Sequence, residues 1–584
     1  MKTAYIGLSN SPHDPAIAIV DQSGEIIFAE AAERLLQNKR AWGCPPDDLL
    51  RLPQLLNKYL SDYTELCLAT TWTRVFIKEF QYRAFDDDVR FKNENNLFKH
   101  YFFRLLSSNM NINTGWNTIF QGVKLCSNLK IRTKNFFHHL THAAAGCFTS
   151  SFTDAICLII DGYGENTSIA LYEYNNGKLK HLQPGLISDG SLGEFYSIVT
   201  YLCGFDPLKG EEWKVMGLAP YGQLDKKYYS ILKSLIKVDG CKLVNNCNKE
   251  LKISELTKLV PIHVHDPIEY ANLAFTGQYV YTELLTELLN NIYLLGVSKN
   301  IILGGGCALN SSYNGILLEQ TSFKDLYVFS APADDGNAVG AALLAYYQDH
   351  PDMKPHRKWQ QPYLGEKLCQ ETLNRYLKNN LLEVTILSEE DLCKLTAKLL
   401  ADGKIIGWLQ GSAEFGPRSL GNRSILADPR SPDVKKRLNN FVKFREGYRP
   451  FAPSILHEFG DEYFINYQES PYMERTLKFR TEVLDKVPGV VHVDGTGRLQ
   501  TVKREWNSRF YRLIKEFYIL TDIPLLLNTS FNIMGKPISH SVEDALGLFL
   551  TTGLDVLVME NYICQKSNSA IKNSSIAGLE ALVY

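Results

Sequence analysis

The sequence predicts an α/β protein whose N-terminal part contains one structural unit twice. Residues 3–33 have the pattern of strand, polar loop, strand, glycine turn and strand, with Gly24 in the turn. Residues 155–182 repeat this order, with Gly177 in the turn. The similarity lies in the order of elements and not in residue identity, and an internal repeat of this kind indicates a duplicated architecture.

Two such units, each followed by helices, are typical of the actin, Hsp70 and sugar-kinase core, in which two halves enclose a nucleotide cleft. We expect this core to span residues 1–350. The polar, proline-bearing stretch 351–364 is typical of a linker. The pattern then restarts with a predicted helix at 389–403 and an apolar strand, so we expect a second α/β domain at 365–584.

The composition excludes several classes of protein. The 584 residues carry a net charge of −2, so no global field attracts nucleic acid or anionic lipid. The 12 cysteines form no CxxC pair, which argues against a zinc ribbon or a disulfide framework and indicates a reducing compartment. The N-terminal apolar stretch is too short for a signal peptide, and no run approaches the roughly 18 apolar residues of a membrane helix. We therefore expect a cytoplasmic protein without nucleic-acid or membrane partners.

A first group of candidate metal ligands lies in the stretch FHHLTH. His138 and His142 are four residues apart, so a helix would place both imidazoles on one face. Asp161 follows the apolar run 155–160 directly, where a buried strand opens into a glycine loop. Two histidines and a carboxylate suit Fe, Mn, Zn or Co. An HxxxH pattern by itself is more often a packing feature, so the rest of the chain has to support this interpretation.

Two glycine-rich strand ends follow in the second half of the core. The stretch NIILGGGCALN at 300–310 combines a strand, three glycines and a helix start, which lets backbone approach an anion closely. It is not a P-loop, because no Lys-Ser or Lys-Thr pair follows. Asp334 and Asp335 come after another strand and before a helix of small residues, where a carboxylate can reach a metal or a nucleotide.

The segment 411–453 is the most basic part of the chain. Its arginines adjoin glycine or proline in EFGPRSLGNRS and REGYRPFAP, and arginine in a fixed loop suits bidentate recognition of phosphate or carboxylate. Further on, LLLNTSFNIMGKPI places Asn528, Ser530 and Asn532 after a buried strand. These side chains suit a polyphosphate site, and the alternative is an Asx-rich turn that satisfies its own backbone.

Taken together, the motifs resemble those of the O-carbamoyltransferases of natural-product and nodulation-factor biosynthesis, over nearly the whole chain. The motifs are YIGLSNSPHDPA, HHLTH, LIIDGYGE, KVMGLAPYG, GGGCALN, DDGNAVGAA, EFGPRSLGNRSIL, FVKFREGYRPFAPS, HVDGTGRLQTV and LLLNTSFNIMGKPI. The last four together are highly specific to this family. The resemblance implies a Kae1-like domain of the actin-like ATPase fold followed by a YrdC-like domain.

The resemblance also implies a reaction. The YrdC-like domain would make carbamoyl adenylate from carbamoyl phosphate and ATP, and the Kae1-like domain would pass the carbamoyl group to a hydroxyl of a small natural product such as an antibiotic or toxin. It implies a divalent metal, iron in characterised members, with Mg accompanying ATP. The expected partners are carbamoyl phosphate, ATP and a hydroxylated small-molecule acceptor, and a homodimer is compatible with these features.

Site residues carry over motif by motif. The implied metal ligands are His138, His142, Asp161 and Asp334. The implied adenylate-binding residues are Gly305, Gly306 and Asn310. Carbamoyl phosphate and ATP would be bound by Arg418, Lys443, Arg449, Arg498, Asn528, Ser530 and Asn532. Arg418, Lys443 and Ser530 would also be catalytic, together with His13, which is either a general base or a residue that orients its loop.

Three other functions compete with this hypothesis. A tRNA threonylcarbamoyl-adenosine factor could be built from the same two folds, but the near-neutral charge and the lack of a basic stripe argue against tRNA. A regulatory nucleotide-binding ATPase would not need the C-terminal Arg–Lys–Ser–Asn set, and a sugar kinase would explain neither HxxxH nor the second domain. Segment 85–130 is expected to form a lid or a wall for the acceptor, or else a helical surface elaboration.

Overall fold

The computed structural model describes residues 2–46, 52–73, 75, 129–185, 187–261, 266–378 and 382–566. The chain divides into two units, of which unit 1 contains Met1–Leu364 and Phe415–Pro417, and unit 2 contains Gly365–Glu414 and Arg418–Tyr584. The segment expected to shape the acceptor site lies outside the described residues except for its last two. Within the described ranges, no helix is long and apolar enough to cross a membrane.

Unit 1 contains two five-stranded sheets and a small hairpin. Its strands are β1 Thr3–Ser9, β2 Ala16–Val20, β3 Ile26–Ala31, β4 Glu65–Thr70, β5 Lys130–Asn135, β6 Asp154–Ile160, β7 Ile169–Asn175, β8 Lys178–His181, β9 Ile236–Asp239, β10 Lys242–Asn245, β11 Asn300–Gly304 and β12 Asp325–Val328. The strand orders of the two sheets are β3-β2-β1-β4-β5 and β8-β7-β6-β11-β12.

The two sheets have the same topology. In each, the first three strands form an antiparallel meander, and the remaining two strands add in parallel to the free side of the first. The central strands β1 and β6 are buried along nearly their whole length, as expected for strands that are covered on both faces. This confirms the duplicated architecture and the actin-like fold class predicted from the sequence.

The helices of unit 1 are α1 Ala32–Leu36, α2 Leu52–Tyr59, α3 His138–Thr149, α4 Leu192–Leu202, α5 Glu212–Leu218, α6 Lys226–Leu235, α7 Lys249–Thr257, α8 Ala271–Tyr293, α9 Ser311–Gln320 and α10 Asn337–Asp349. A 3₁₀ turn, Pro267–Tyr270, leads into α8. The Asp266 side chain accepts a hydrogen bond from the Ile268 N–H, which satisfies one of the unpaired donors of that turn.

Helices α3 and α10 form the centre of unit 1. Helix α10 packs against β1, β2 and α3, while α3 packs against β6 and β11. The backbones approach closely because the contact positions carry no side chain. A Cβ on Gly7 of β1 would lie 1.7 Å from Ala338 O, and a Cβ on Gly340 of α10 would lie 1.9 Å from Thr141 O. Glycine is therefore required at both positions.

Unit 2 is built on one nine-stranded mixed sheet. Its strands are β13 Leu382–Ile386, β14 Ile406–Leu409, β15 Arg423–Ala427, β16 Ala452–Leu456, β17 Arg475–Lys478, β18 Thr496–Val502, β19 Leu525–Ser530, β20 Val556–Met559 and β21 Tyr562–Lys566, in the order β13-β21-β20-β14-β15-β19-β16-β18-β17. Its helices are α11 Gln370–Leu377, α12 Glu389–Ala401, α13 Val434–Leu438, α14 Gly460–Tyr463, α15 Ser508–Thr521 and α16 Val542–Thr551. The predicted α/β character is confirmed, and the likeness to YrdC stays a prediction.

We predict that Gly340→Ala destabilises unit 1, because the added Cβ would overlap Thr141 O unless α3 and α10 move apart. Overpacking of this kind costs about 1–3 kcal/mol. The unfolding midpoint in a thermal scan should therefore fall by several degrees.

The control for this substitution is Gly547→Ala on the exposed side of α16, where a Cβ would meet nothing within 4 Å. The higher helix propensity of alanine should leave the midpoint equal or slightly raised there. Equal midpoints for Gly340→Ala and the wild-type protein would contradict the close packing.

Candidate functional site

Four side chains of unit 1 converge on one point. His138 and His142 lie one turn apart at the start of α3, Asp161 follows β6, and Asp334 follows β12 before α10. One ligand atom from each lies within 4.8 Å of the others. The His142 Nε2 atom is 3.2 Å from Asp161 Oδ2 and 3.4 Å from Asp334 Oδ1. The structure thus brings together all four residues that the motifs imply as ligands.

Neighbouring groups orient these ligand atoms. The Nδ1–H of His142 donates to Pro332 O at 3.1 Å, so its Nε2 presents a lone pair to the cluster. Asp161 Oδ1 accepts from the N–H groups of Gly162 and Gly306, at 2.8 and 3.2 Å, which leaves Oδ2 facing the imidazoles. Such partners fix the tautomer and the direction of metal ligands.

The electrostatics of the cluster favour a cation. Burial alone would lower the pKa of His138, but Asp334 and Asp161 outweigh it and raise this pKa to about 10. Burial would likewise raise the pKa of Asp334, yet His138 and His142 hold it well below its ordinary value. The two Nε2 atoms are only 3.3 Å apart, where two protonated rings would repel each other. A single divalent cation would satisfy both carboxylates and both imidazoles, so the residues present fit a metal.

The third histidine of the motif is not part of the cluster. The Nε2 atom of His139 lies against Gly164, where an added Cβ would come within 2.5 Å of it. Burial and the neighbouring His138 lower the pKa of His139 to about 3, so its ring stays neutral. The indole ring of Trp72 stacks on the His138 ring, with the two ring centroids 4.1 Å apart. No sequence motif pointed to Trp72, since it lies 66 positions before the histidine it contacts.

His13 lies at the edge of the metal-ligand cluster. Its Nδ1 is 2.9 Å from Asp14 Oδ2 and 3.9 Å from Asp334 Oδ2. Because Nδ1 donates to Asp14, Nε2 is the basic nitrogen of the ring. Arg40 binds the same Asp14 oxygen through Nε and Nη2, each at 3.2 Å. Asp14 belongs to a quoted motif, but no sequence signal pointed to Arg40.

The predicted adenylate loop closes over the end of β6. Gly305 has φ +85°, and a Cβ there would lie 2.2 Å from Ile160 O, so only glycine fits. Gly306 directs its N–H at Asp161. The Asn310 side chain caps α9 by accepting from the Tyr313 N–H, and it donates to Gln278 Oε1 at 3.0 Å. Asn310 therefore has a structural role in addition to its predicted one.

In unit 2, Lys443 is joined to the turn that follows β19. Its Nζ lies 2.7 Å from Ser530 O and 3.2 Å from Ser530 Oγ, and 2.9 and 2.6 Å from the backbone and side-chain oxygens of Asn532. The Ser530 hydroxyl also donates to Asn532 Oδ1 at 2.7 Å. An ammonium has three protons, so these four oxygens already occupy its donors. Lys443 thus shapes the turn on which Ser530 and Asn532 lie.

An arginine cluster lies in the same unit. Burial lowers the pKa of Arg418 to about 10. Burial also holds the pKa of Arg498 well below its ordinary value, and the charges of Arg418, Arg445 and Arg449 add to this effect. The buried Arg498 Nε has no hydrogen-bond partner among the described residues. Guanidiniums held close together in this way form a site for an anion. Arg445 was not among the predicted site residues, although it lies in the REGYRP motif.

Asn528 lies inside the sheet of unit 2. It is fully buried, and its Nδ2 donates to Ser454 Oγ and Gln500 Oε1, each at 3.0 Å. These contacts link β19 to β16 and β18 across the sheet. Asn528 therefore supports the strand that carries Ser530.

Family models match both units of the chain. A family model described as Carbamoyltransferase N-terminus matches residues 4–343, and one described as Carbamoyltransferase C-terminus matches residues 397–566. Among solved structures, full-length HypF in a phosphate- and nucleotide-bound form covers 59% of this chain and 55% of its own, at 12% identity and a TM-score of 0.35.

Several relatives are similar over most of their length. Nodulation protein NolO of Bradyrhizobium diazoefficiens is 35% identical over 457 residues, which cover 75% of this chain and 80% of that protein. Nodulation protein NolNO of Sinorhizobium fredii is 36% identical over 465 residues, or 76% of this chain and 66% of that protein. An uncharacterized protein of Synechocystis is 37% identical over 473 residues, or 74% and 76%. The chain therefore belongs to the carbamoyltransferase family.

Proposed function

We propose that the protein is an ATP-dependent O-carbamoyltransferase with one half-reaction in each unit. Unit 2 makes carbamoyl adenylate from carbamoyl phosphate and ATP, and unit 1 transfers the carbamoyl group to a hydroxyl of a small natural product. The observation that carries this proposal is the presence of two sites of opposite charge preference. Unit 1 has a histidine–carboxylate cluster that favours a cation, and unit 2 has an arginine cluster that favours an anion.

The first half-reaction needs positive charge at fixed positions. Water cleaves carbamoyl phosphate into carbamate and phosphate. A carbamate oxygen then attacks the α-phosphorus of ATP, and pyrophosphate leaves. Arg418, Arg449 and Arg498 neutralise the phosphate oxygens as charge shifts to the leaving group. The Ser530 hydroxyl and the Asn532 amide, held in place by Lys443, orient the same anions. Mg accompanies the ATP phosphates.

The second half-reaction takes place beside α3 and α10. The acceptor hydroxyl oxygen attacks the carbamoyl carbon, the bond from that carbon to the phosphate oxygen breaks, and AMP leaves. His13 Nε2 takes the hydroxyl proton, since Asp14 holds the proton on Nδ1. Gly305 and Gly306 leave room for the adenylate at the end of β6 because they carry no side chain, while their N–H groups donate to Pro332 O and Asp161 Oδ1.

The residues that would hold a divalent metal are His138, His142, Asp161 and Asp334. When bound there, the cation supplies a Lewis acid for the adenylate and the attacking oxygen. Iron is the metal that the family resemblance suggests, and the ligand set also suits Mn, Zn or Co.

We predict that Asp334→Asn weakens metal binding by at least about 100-fold, because it removes one of two carboxylate ligands while preserving shape. Elemental analysis of the purified protein and chelator competition measure this loss. Pyrophosphate release from ATP and carbamoyl phosphate should continue, since that step belongs to unit 2.

The matched control is Asp335→Asn. Burial, with Asp14 adding to it, raises the pKa of Asp335 to about 7, so an amide is a fair substitute for a carboxyl that is already partly protonated near neutrality. This variant should keep its metal. The assignment of Asp334 would be wrong if both variants lost metal equally or if both retained it.

We also predict that Arg418→Ala slows pyrophosphate release by about 100-fold, because one preorganised charge at a developing oxyanion is worth roughly 3 kcal/mol. Release is measured with ATP and carbamoyl phosphate in the absence of an acceptor. Ser530→Ala should slow it as well, though less, because only one hydroxyl is removed.

Arg375→Ala provides the control for charge alone, since Arg375 is exposed on α11 and its nearest acidic partner, Glu543, is 3.9 Å away. It should release pyrophosphate at the wild-type rate. Unchanged release in Arg418→Ala, with metal content also unchanged, would overturn the assignment of adenylate formation to unit 2.

A further inference from the structure

The chain leaves α13 through an unusual turn. Asn439–Lys443 is a single π-helical turn, closed by a hydrogen bond from the Phe444 N–H to Asn439 O. Phe444 itself is left-handed, with φ +49° and ψ +56°. This conformation costs free energy for any residue with a Cβ and is uncommon for a bulky side chain. Turns of the π type are frequent at functional sites.

The turn presents aromatic surface to solvent. Phe441 is 60% exposed and Phe444 is 50% exposed, and Met534 beside them is 48% exposed. The backbone is fixed on two sides, since Met534 donates its N–H to Lys443 O and Gly553 donates to Phe441 O. Folding gains little from two exposed phenylalanines, one of which, Phe444, also has a strained backbone. An exposed apolar surface held rigidly in this way indicates a ligand site.

The residues next to this surface in sequence are cationic, and cationic side chains suit phosphate groups. Lys443 lies between the two phenylalanines in sequence and reaches the turn of Ser530 and Asn532. Arg445 follows Phe444 directly and belongs to the arginine cluster that includes Arg498. A ligand that matches both features has a flat aromatic part joined to several phosphates.

We propose that Phe444 is the platform on which the base of a nucleoside triphosphate stacks, with the phosphates directed to the arginine cluster of unit 2. Stacking on an aromatic side chain suits any nucleobase, because every base has a π face. The inference rests on the proposed use of ATP by unit 2. It adds the residue that holds the base.

The test compares ATP with inorganic tripolyphosphate, which lacks the base. Titration calorimetry on the full chain gives both affinities, and loss of the signal in Arg418→Ala identifies binding to unit 2. Phe444→Ala keeps a Cβ and therefore the same backbone strain. It should weaken ATP binding by about 5- to 100-fold, the loss of one stacked base, and leave tripolyphosphate binding unchanged. Phe444→Trp should restore ATP affinity.

Ile519→Ala serves as the control, because Ile519 is 65% exposed on α15 and lies in the same unit. It should change neither affinity. Phe444→Gly gives a second readout, since glycine tolerates the left-handed conformation. It should raise the thermal midpoint while weakening ATP binding as alanine does. A lowered midpoint in Phe444→Gly would identify the ring as a packing element and overturn the inference.

Other outcomes separate the inference from the function on which it rests. Equal loss of ATP and tripolyphosphate in Phe444→Ala would overturn the stacking role, because the phosphate site itself would then have changed. Wild-type ATP affinity in Phe444→Ala would also overturn it while leaving the carbamoyltransferase mechanism intact. Conversely, ATP binding that depends on Phe444 without any pyrophosphate release would support the stacking role and contradict the proposed half-reaction.

Discussion

The close approach of β1, α10 and α3 is the constraint on which unit 1 depends. Glycine at positions 7 and 340 lets the backbone of each element contact the next directly. Helix α3 begins with His138, and α10 follows Asp334 after one 3₁₀ turn. The distance between the two helices therefore sets the distance between imidazole and carboxylate. A ligand set has to be held within about 0.5 Å, so small residues in the helices are part of the site.

The candidate sites of the two units differ in the charge of the ion that each one favours. In unit 1, buried carboxylates raise the pKa of His138, and the imbalance calls for a cation. In unit 2, burial and then the neighbouring guanidiniums lower the pKa of Arg498, which favours a bound anion. Each arrangement buries charge, and burying charge costs desolvation energy that a bound counter-ion offsets. A two-step reaction that consumes polyanions first and then activates a mixed anhydride matches this division.

The sequence was informative where the determining interactions are local. Strand alternation and glycine turns are local, so the duplicated topology of unit 1 was predictable. The four candidate metal ligands were identified through motifs, and the structure brings them together. Partners distant in sequence were not predictable, as with Trp72 on His138 and Arg40 on Asp14. The local sequence pattern does not indicate which loops come into contact in the folded chain.

The position at which β19 ends determines the role of Asn528. The sequence suggested that the strand ends before Asn528 and leaves its side chain at an open site. The strand β19 continues to Ser530, and Asn528 pairs with both Leu426 and Ala452 in the sheet. Side chains alternate along a strand, so the residues at 528 and 530 share a face while differing in depth. Pairing with two neighbours keeps Asn528 buried, and only the end of the strand reaches the anion site.

In both units, residues with strained backbone conformations lie next to candidate site residues in sequence. Asp14 is left-handed with φ +55°, and Arg40 opposite it is left-handed with φ +62°. Each holds the other, because the Asp14 N–H donates to Arg40 O while the Arg40 guanidinium binds the Asp14 carboxylate. The pair fixes the direction of His13. Phe444 is strained as well, and its ring is half exposed. The nucleobase proposed above would cover this ring, and strained residues of this kind cluster at ligand sites.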